Sequence, residues 1–310
     1  MFINTPILSF GMAETILVQS IFTLPFAIQL SIAFIVLLVG SYTDFRTREV
    51  PDWVNLGLIG IGFGLNAIFS VIYWKINFIL ASILGFGAFF ALAWVMFYTG
   101  QWGGGDSKIL MGLGAIIGID ALSKNFFLFG FLANALLAGA LYGLFWSFYS
   151  MIRNRKKFLK EFGKIMEKKE AINARSNVLA VFFILILIIM LVQNIFVKIA
   201  LFYVAIASIL TLYLWVAVKS VENSCMLKYV KPMQLTEGDW IAKDIKIGGK
   251  YITGPKDLGI EKKNIRKLVE FYKKGKIKKV LIKEGIPFVP SFFIAYLITL
   301  MYGDLIFVFI

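Results

Sequence analysis

Apolar residues along the 310-residue chain gather into runs of about 20, the length that crosses a hydrocarbon core, and short polar or charged stretches divide them. The pattern predicts eight spans, over residues 20 to 42, 53 to 73, 77 to 98, 106 to 122, 126 to 150, 177 to 193, 199 to 218 and 289 to 310. The rhythm changes once. Between 222 and 287 the apolar runs shorten and charge rises. There DIKIGGKYIT (244 to 253) alternates as strands do, IEKKNIRKLVEFYKK (260 to 274) has helical spacing, and KKVLIKEG (278 to 285) reads as a strand. The expected domains are a membrane domain over 1–221, a small α+β module over 222–287 and a C-terminal transmembrane helix over 288–310. A module of about 65 residues is near the lower limit for an independent core, so docking on the membrane domain would help it fold.

Composition agrees with this division. The chain is 59% hydrophobic with a mean hydropathy of +0.82. If the N-terminus is outside, 29 of the 32 basic residues fall on the inner side and only Lys75, Lys124 and Lys198 on the outer, a strong positive-inside bias. The expected fold class is therefore an all-α polytopic membrane protein of about eight transmembrane helices with a small α+β cytoplasmic module. The net charge of +14 follows from the same partition and does not point to nucleic acid, since no nucleic-acid-binding motif accompanies it. The basic run 153 to 175 reads either as an amphipathic helix on anionic membrane lipid or as a solvated loop. No Lys or Arg precedes Arg46, so the basic n-region of a secretory signal is missing and the first apolar stretch is expected to stay as a span.

The chain has no histidine, and Cys225 is its only cysteine, which excludes internal disulfides, a four-cysteine zinc module and any Ser-His or Cys-His pair. Carboxylates are what remain for acid-base work at neutral pH. Two stand out: Asp44 closes the apolar run AFIVLLVGSYTD (33 to 44), and Asp106 closes WGGGD (102 to 106) just before another apolar run. A carboxylate at a membrane edge is costly unless it is wet or partnered. Two carboxyls sharing a water can take its proton and polarise a carbonyl together, because like-charge repulsion keeps one proton on the pair. Gly103, Gly104 and Gly105 strip side chains from the approach to Asp106, and a Cβ at Gly103 or Gly105 would obstruct an extended substrate or force a φ that glycine alone adopts readily. The alternative is that the glycines form a loop and Asp106 merely caps a helix. Asp52, after Pro51, reads as a helix-start residue or a local electrostatic partner. Asp120, Glu14 and Asp304 fall near the outer face, Tyr42 and Trp102 read as interfacial anchors, and Arg46 and Arg48 as positive-inside determinants.

The segments DFRTREVPDWVN (44 to 55) and GGGDSKILMGLGA (103 to 115) resemble the two signature regions of the type IV prepilin peptidases, membrane aspartyl proteases with a GxGD motif. The resemblance implies that Asp44 and Asp106 are the catalytic pair. Arg48, Pro51 and Asp52 match the pattern flanking the first aspartate, Gly103 and Gly105 supply the glycines of GxGD, and Lys108 matches the lysine after it. Bacterial members commonly carry a cysteine-paired insert and methylate their products; this chain has neither the insert nor the cysteines, and it looks more similar to the archaeal branch, which includes preflagellin and pilin-specific peptidases. The activity that the resemblance implies is that of an aspartic endopeptidase at the cytoplasmic membrane face, removing a short basic leader from prepilin or preflagellin-like precursors, with no cofactor, metal or nucleic acid. A proton- or cation-coupled transporter using intramembrane carboxylates is the alternative, though acids near the midplane and repeated halves are not visible. The Pro-Ala-Leu motif of presenilin-type GxGD proteases is missing from the C-terminal region.

Overall fold

A computed structural model describes residues 23–120 and 127–305. The first residues of the expected span 20 to 42, together with Glu14, Lys124 and residues 306 to 310, lie outside the described residues. The chain divides into two compact units, one of residues 1–143 with 285–310 and one of residues 144–284.

The first unit contains α1 (Leu24–Thr47), α2 (Asp52–Ile72), α3 (Asn77–Tyr98), α4 (Gly104–Ile117), most of α5 (Phe127–Arg153) and α10 (Val289–Tyr302). Pro25 lies in the first turn of α1, where a missing N–H costs nothing. The helix ends on Arg48, whose φ of 63° places a non-glycine residue in the left-handed region and lets its N–H bond to the Asp44 carbonyl at 2.9 Å. At the end of α3, Gly100 takes φ 70°, the left-handed cap that favours glycine.

Helix α4 is the centre of this unit. Ile109, Leu110, Leu113, Ala115 and Ile116 expose no surface, because α1, α2 and α3 all pack against it. Glycines allow that approach: a Cβ on Gly62 of α2 would lie 2.7 Å from the Ile116 nitrogen, and Cβ atoms on Gly85 of α3 and Gly114 of α4 would each run into the other's carbonyl oxygen.

Among the described residues, six helices are long and apolar enough to cross a membrane: α1, α2, α3, α5, α7 (Lys169–Leu191) and α8 (Ile195–Ser224). The expected count of eight is not confirmed at two places. The stretches 106 to 122 and 289 to 310 form α4 and α10, each of 14 residues. At 1.5 Å per residue that is about 21 Å, short of a hydrocarbon core of about 30 Å. Helix α4 can stop within the protein because its last carbonyls are bonded by side chains of its neighbours. Asn66 Nδ2 of α2 donates to Ala115 O at 3.2 Å and Ile116 O at 3.0 Å, Ser82 Oγ of α3 donates to Ala115 O, and Gln29 Nε2 of α1 donates to Asn66 Oδ1 at 2.7 Å. Backbone ends at membrane depth are tolerated only when protein satisfies them in this way. Helix α10 stops at Gly303, whose carbonyl accepts from Asn134 Nδ2 at 2.8 Å.

The second unit holds the end of α5, α6 (Arg155–Met166), α7 and α8, followed by five short strands and α9 (Lys262–Lys273). Asn194 caps α8 by accepting from the Phe196 N–H at 2.9 Å. The basic run 153 to 175 is helical, and α6 packs against α8 with Phe158 and Ile165 buried, so part of its apolar side faces protein. Strands β1 (Leu227–Val230), β5 (Val280–Lys283) and β2 (Trp240–Ile241) form an antiparallel sheet in that order, with Val230 opposite Val280. Strands β3 (Ile245–Ile247) and β4 (Lys250–Thr253) form a hairpin whose turn residues Gly248 and Gly249 both have positive φ, as a two-residue hairpin turn requires. Val230, Ile241, Ile260, Leu268, Val280 and Ile282 make a core of their own.

Candidate active site

Asp44 lies in the last turn of α1 with 6% of its surface exposed. The four residues after that helix, 48 to 51, reverse the chain into α2, which begins at Asp52. Asp106 is the third residue of α4 and is half-buried, and its Oδ2 reaches back to accept the Gly103 N–H at 3.0 Å. This is the acidic half of a capping box, so the helix-cap role weighed for Asp106 is present, at the third helical position and using one oxygen. Because α1 and α4 pack side by side, the two carboxylates come within electrostatic reach of each other. The packing hinges on Gly40, one turn before Asp44, where a Cβ would lie 2.8 Å from Ile109 Cδ1, one turn beyond Asp106.

The two signature segments also touch beyond the carboxylates. Lys108 pairs with Asp52, a bridge from the fifth residue of α4 to the first residue of α2. Pro51 is the residue preceding α2, where its fixed φ suits a helix entry. Val50 is buried and faces Gly105, whose Cβ would meet Val50 Cβ at 3.5 Å, an ordinary contact. Gly103 has φ −72° and Gly105 has no positive φ, so the expectation that these two positions need a glycine-only conformation is overturned: Gly104 and Gly105 are simply the first turn of α4. Gly103 is constrained by space instead, since a Cβ there would sit 3.2 Å from Asp106 Oδ2. Arg48 is a helix cap whose charge is felt at Asp44, a closer role than a positive-inside determinant.

Several neighbours carried no sequence signal. The Val289 N–H, in the first turn of α10, donates to Asp44 Oδ2 at 3.0 Å across 245 residues of chain. Phe288 and Phe292 meet Trp102 with ring centroids 6.1 and 5.4 Å away, so Trp102 is buried rather than an interfacial anchor. Tyr142 of α5 lies in the field of both Asp44 and Arg48. A backbone N–H leaves no trace in a sequence, and a tyrosine near the end of a span reads as an anchor. The two proline residues in PFVPS (287 to 291) were the visible mark of a specialised helix start. Among the described residues, no group of three or more His, Cys, Asp or Glu is arranged to hold a metal.

Fold and site together define a multi-pass membrane protein with a pair of aspartates brought together by packed helices at one end of a helix bundle. Residues 31–144, which contain both aspartates, match the model of the type IV leader peptidase family, and over that segment the resemblance read from the motifs is borne out. Similar curated proteins are the preflagellin peptidases of Methanocaldococcus jannaschii, 40% identical over 81 residues, Methanococcus maripaludis, 39% over 83, and Methanococcus voltae, 37% over 87. These alignments cover 26%, 26% and 28% of this chain and 34%, 35% and 37% of those proteins, so the chain spans about a third of the length of the curated relatives it matches. No solved structure matches.

Proposed function

We propose that the chain is a membrane-embedded aspartic endopeptidase that cleaves the short basic leader from type IV pilin-like or archaellin precursors at the cytoplasmic membrane face. The observation that carries the reading is the convergence of Asp44 and Asp106, each with one oxygen on a backbone N–H, inside the segment that matches a leader peptidase family. A water between the two carboxyls loses a proton to the ionised one while the protonated one gives its proton to the oxygen of the scissile carbonyl. Attack gives a neutral tetrahedral diol. The proton gained by the base then passes to the leaving nitrogen, the C–N bond breaks as one diol hydroxyl gives its proton back to the other carboxylate, and the pair returns to its single shared proton. Such chemistry asks for no cofactor.

The sidedness of the basic residues supports placing the pair, and the 222–287 module, in the cytoplasm, where a basic leader preceding a hydrophobic helix can meet it without unwinding a helix in mid-bilayer. Lys108, Asp52 and Pro51 hold the two signature segments in register, and Arg48, Gly103 and Gly105 shape the ground around the pair. The test is co-expression with candidate prepilin and preflagellin precursors, reading mature N-termini by mass spectrometry. Precursors left uncut by the wild-type chain, or cut equally by an Asp44→Asn variant, overturn the reading.

A further inference from the structure

We infer that the first turn of α10 is a positioning element for Asp44, acting through the Val289 backbone N–H; the inference rests on the proposed role of Asp44 in leader cleavage. The bond from Val289 N to Asp44 Oδ2 is 3.0 Å and buried, and it fixes an oxygen of a side chain that is otherwise free to rotate about its terminal torsion. The anchor is stiff. Val289 itself exposes no surface, and its Cγ1 would lie 3.4 Å from a Cβ on Gly40, so α10 and α4 both close on α1 at that glycine. Further along α10, Tyr296 donates to Leu30 O at 2.6 Å, and Asn134 of α5 donates to Thr299 Oγ1 at 2.9 Å.

The same turn reaches the other carboxylate through its aromatic neighbour. Phe288 packs on Trp102, and the next residue, Gly103, supplies the N–H that holds Asp106. Gly139 of α5 leaves the room Phe288 needs, since a Cβ there would lie 2.6 Å from its ring. One short segment, 288 to 292, thus supports both halves of the pair. It lies outside the stretch 31–144 that matches the leader peptidase family, so nothing in that match assigns it a role.

Replacing the amide of Val289 with an ester, by incorporating the matching hydroxy acid, removes the donor and leaves the side chain in place. The same replacement at Ile294, 42% exposed and away from Asp44, removes an ordinary intrahelical donor and serves as the reference. Both chains are assayed in full length for kcat, KM and thermal unfolding. Their Asp44 is also labelled with a water-soluble carbodiimide and mapped by mass, which needs no substrate. A hydrogen bond to a charged group is worth enough that kcat of the 289 ester should fall about tenfold or more below the 294 ester, with KM and Tm alike in the two. Asp44 labelling should be faster in the 289 ester. Equal kcat and equal labelling overturn the positioning role. Faster labelling in a wild-type background that cleaves no precursor keeps the positioning role and defeats the peptidase reading instead.

Discussion

At the scale of single residues, the two aspartates do structural and chemical work with the same carboxylates, and substitution can separate the two. Asparagine at 44 or 106 keeps the shape and an oxygen able to accept from Val289 or Gly103, so both variants should insert and unfold like wild type. Neither can serve as the base, and a pair that works as a unit loses its activity with either member. Leader cleavage should therefore fall below detection for Asp44→Asn and for Asp106→Asn, measured on purified protein; near-normal turnover by either ends the dyad assignment. Asp52 is the contrast. Its side chain is 67% exposed and its partner Lys108 40%, and an exposed pair contributes at most about 1 kcal/mol. Asp52→Asn should keep most of its activity. The glycines make a second residue-level prediction: a methyl at 103 crowds Asp106 Oδ2, whereas one at 105 meets Val50 at ordinary contact distance. Gly103→Ala should lose several-fold in kcat with little change in Tm, while Gly105→Ala stays near wild type and Gly105→Val, whose branches press on Val50, loses activity faster than stability. Parallel loss of Tm and activity in Gly103→Ala would return the cluster to a structural turn.

At the scale of elements, α4 is held in place by packing and by polar side chains rather than by length. Its hydrophobic pattern was legible, since ILMGLGAII (109 to 117) is apolar throughout, but its early end was not, because the groups that terminate it, Asn66 and Ser82, come from two other helices. Spans such as 53 to 73 and 77 to 98 were placed to within a residue of α2 and α3, since lipid-facing helices declare their length by composition. The strands and helix of the 222 to 287 region were legible for a related reason: alternation and helical spacing survive in a small core with one buried face. The site was legible at Asp44 and Asp106, where side-chain chemistry is local in sequence, and illegible at Val289, where a main-chain atom acts from far along the chain. Asn66 is the test of how α4 is stabilised. Asn66→Leu strands the Ile116 carbonyl and the Gln29 amide and leaves Ala115 O to Ser82 alone, a loss on the order of 2 kcal/mol or more that should appear as a lowered Tm. Gly114→Ala should likewise lower Tm, by about 1–3 kcal/mol of overpacking against Gly85 and Phe89. In both, activity should decline only as far as the folded fraction does; a selective loss of kcat at full stability would mean that the far end of α4 communicates with the pair.

At the scale of the whole molecule, the distribution of charge and the number of crossings make a joint prediction about sidedness. The side on which Asp106 lies, at the start of α4, is set by α1, α2 and α3, which are long and apolar enough to cross. Asp44 lies in the last turn of α1 and Asp106 follows α3, so the two spans α2 and α3 separate them and both carboxylates share a side whichever way the protein inserts. The basic residues choose the way: with the stretch 106 to 122 carrying the chain on to the outer face before α5, as the hydrophobic pattern expects, 29 of 32 should be cytoplasmic, including those of α6 and of the 222–287 region, with the loops near Lys75 and Gln193 outside. Single cysteines placed at 75, 160, 193 and 262 in a Cys225→Ser background report this directly, because the chain then has no other thiol. A membrane-impermeant thiol reagent applied to intact cells should label 75 and 193 only, and permeabilised cells should label all four, which proves each position reachable. Labelling of 160 and 262 from outside, with 75 and 193 silent, would invert the protein. The aspartate pair would then face away from the compartment in which leader-bearing precursors are made, and the endopeptidase reading would fall with the topology.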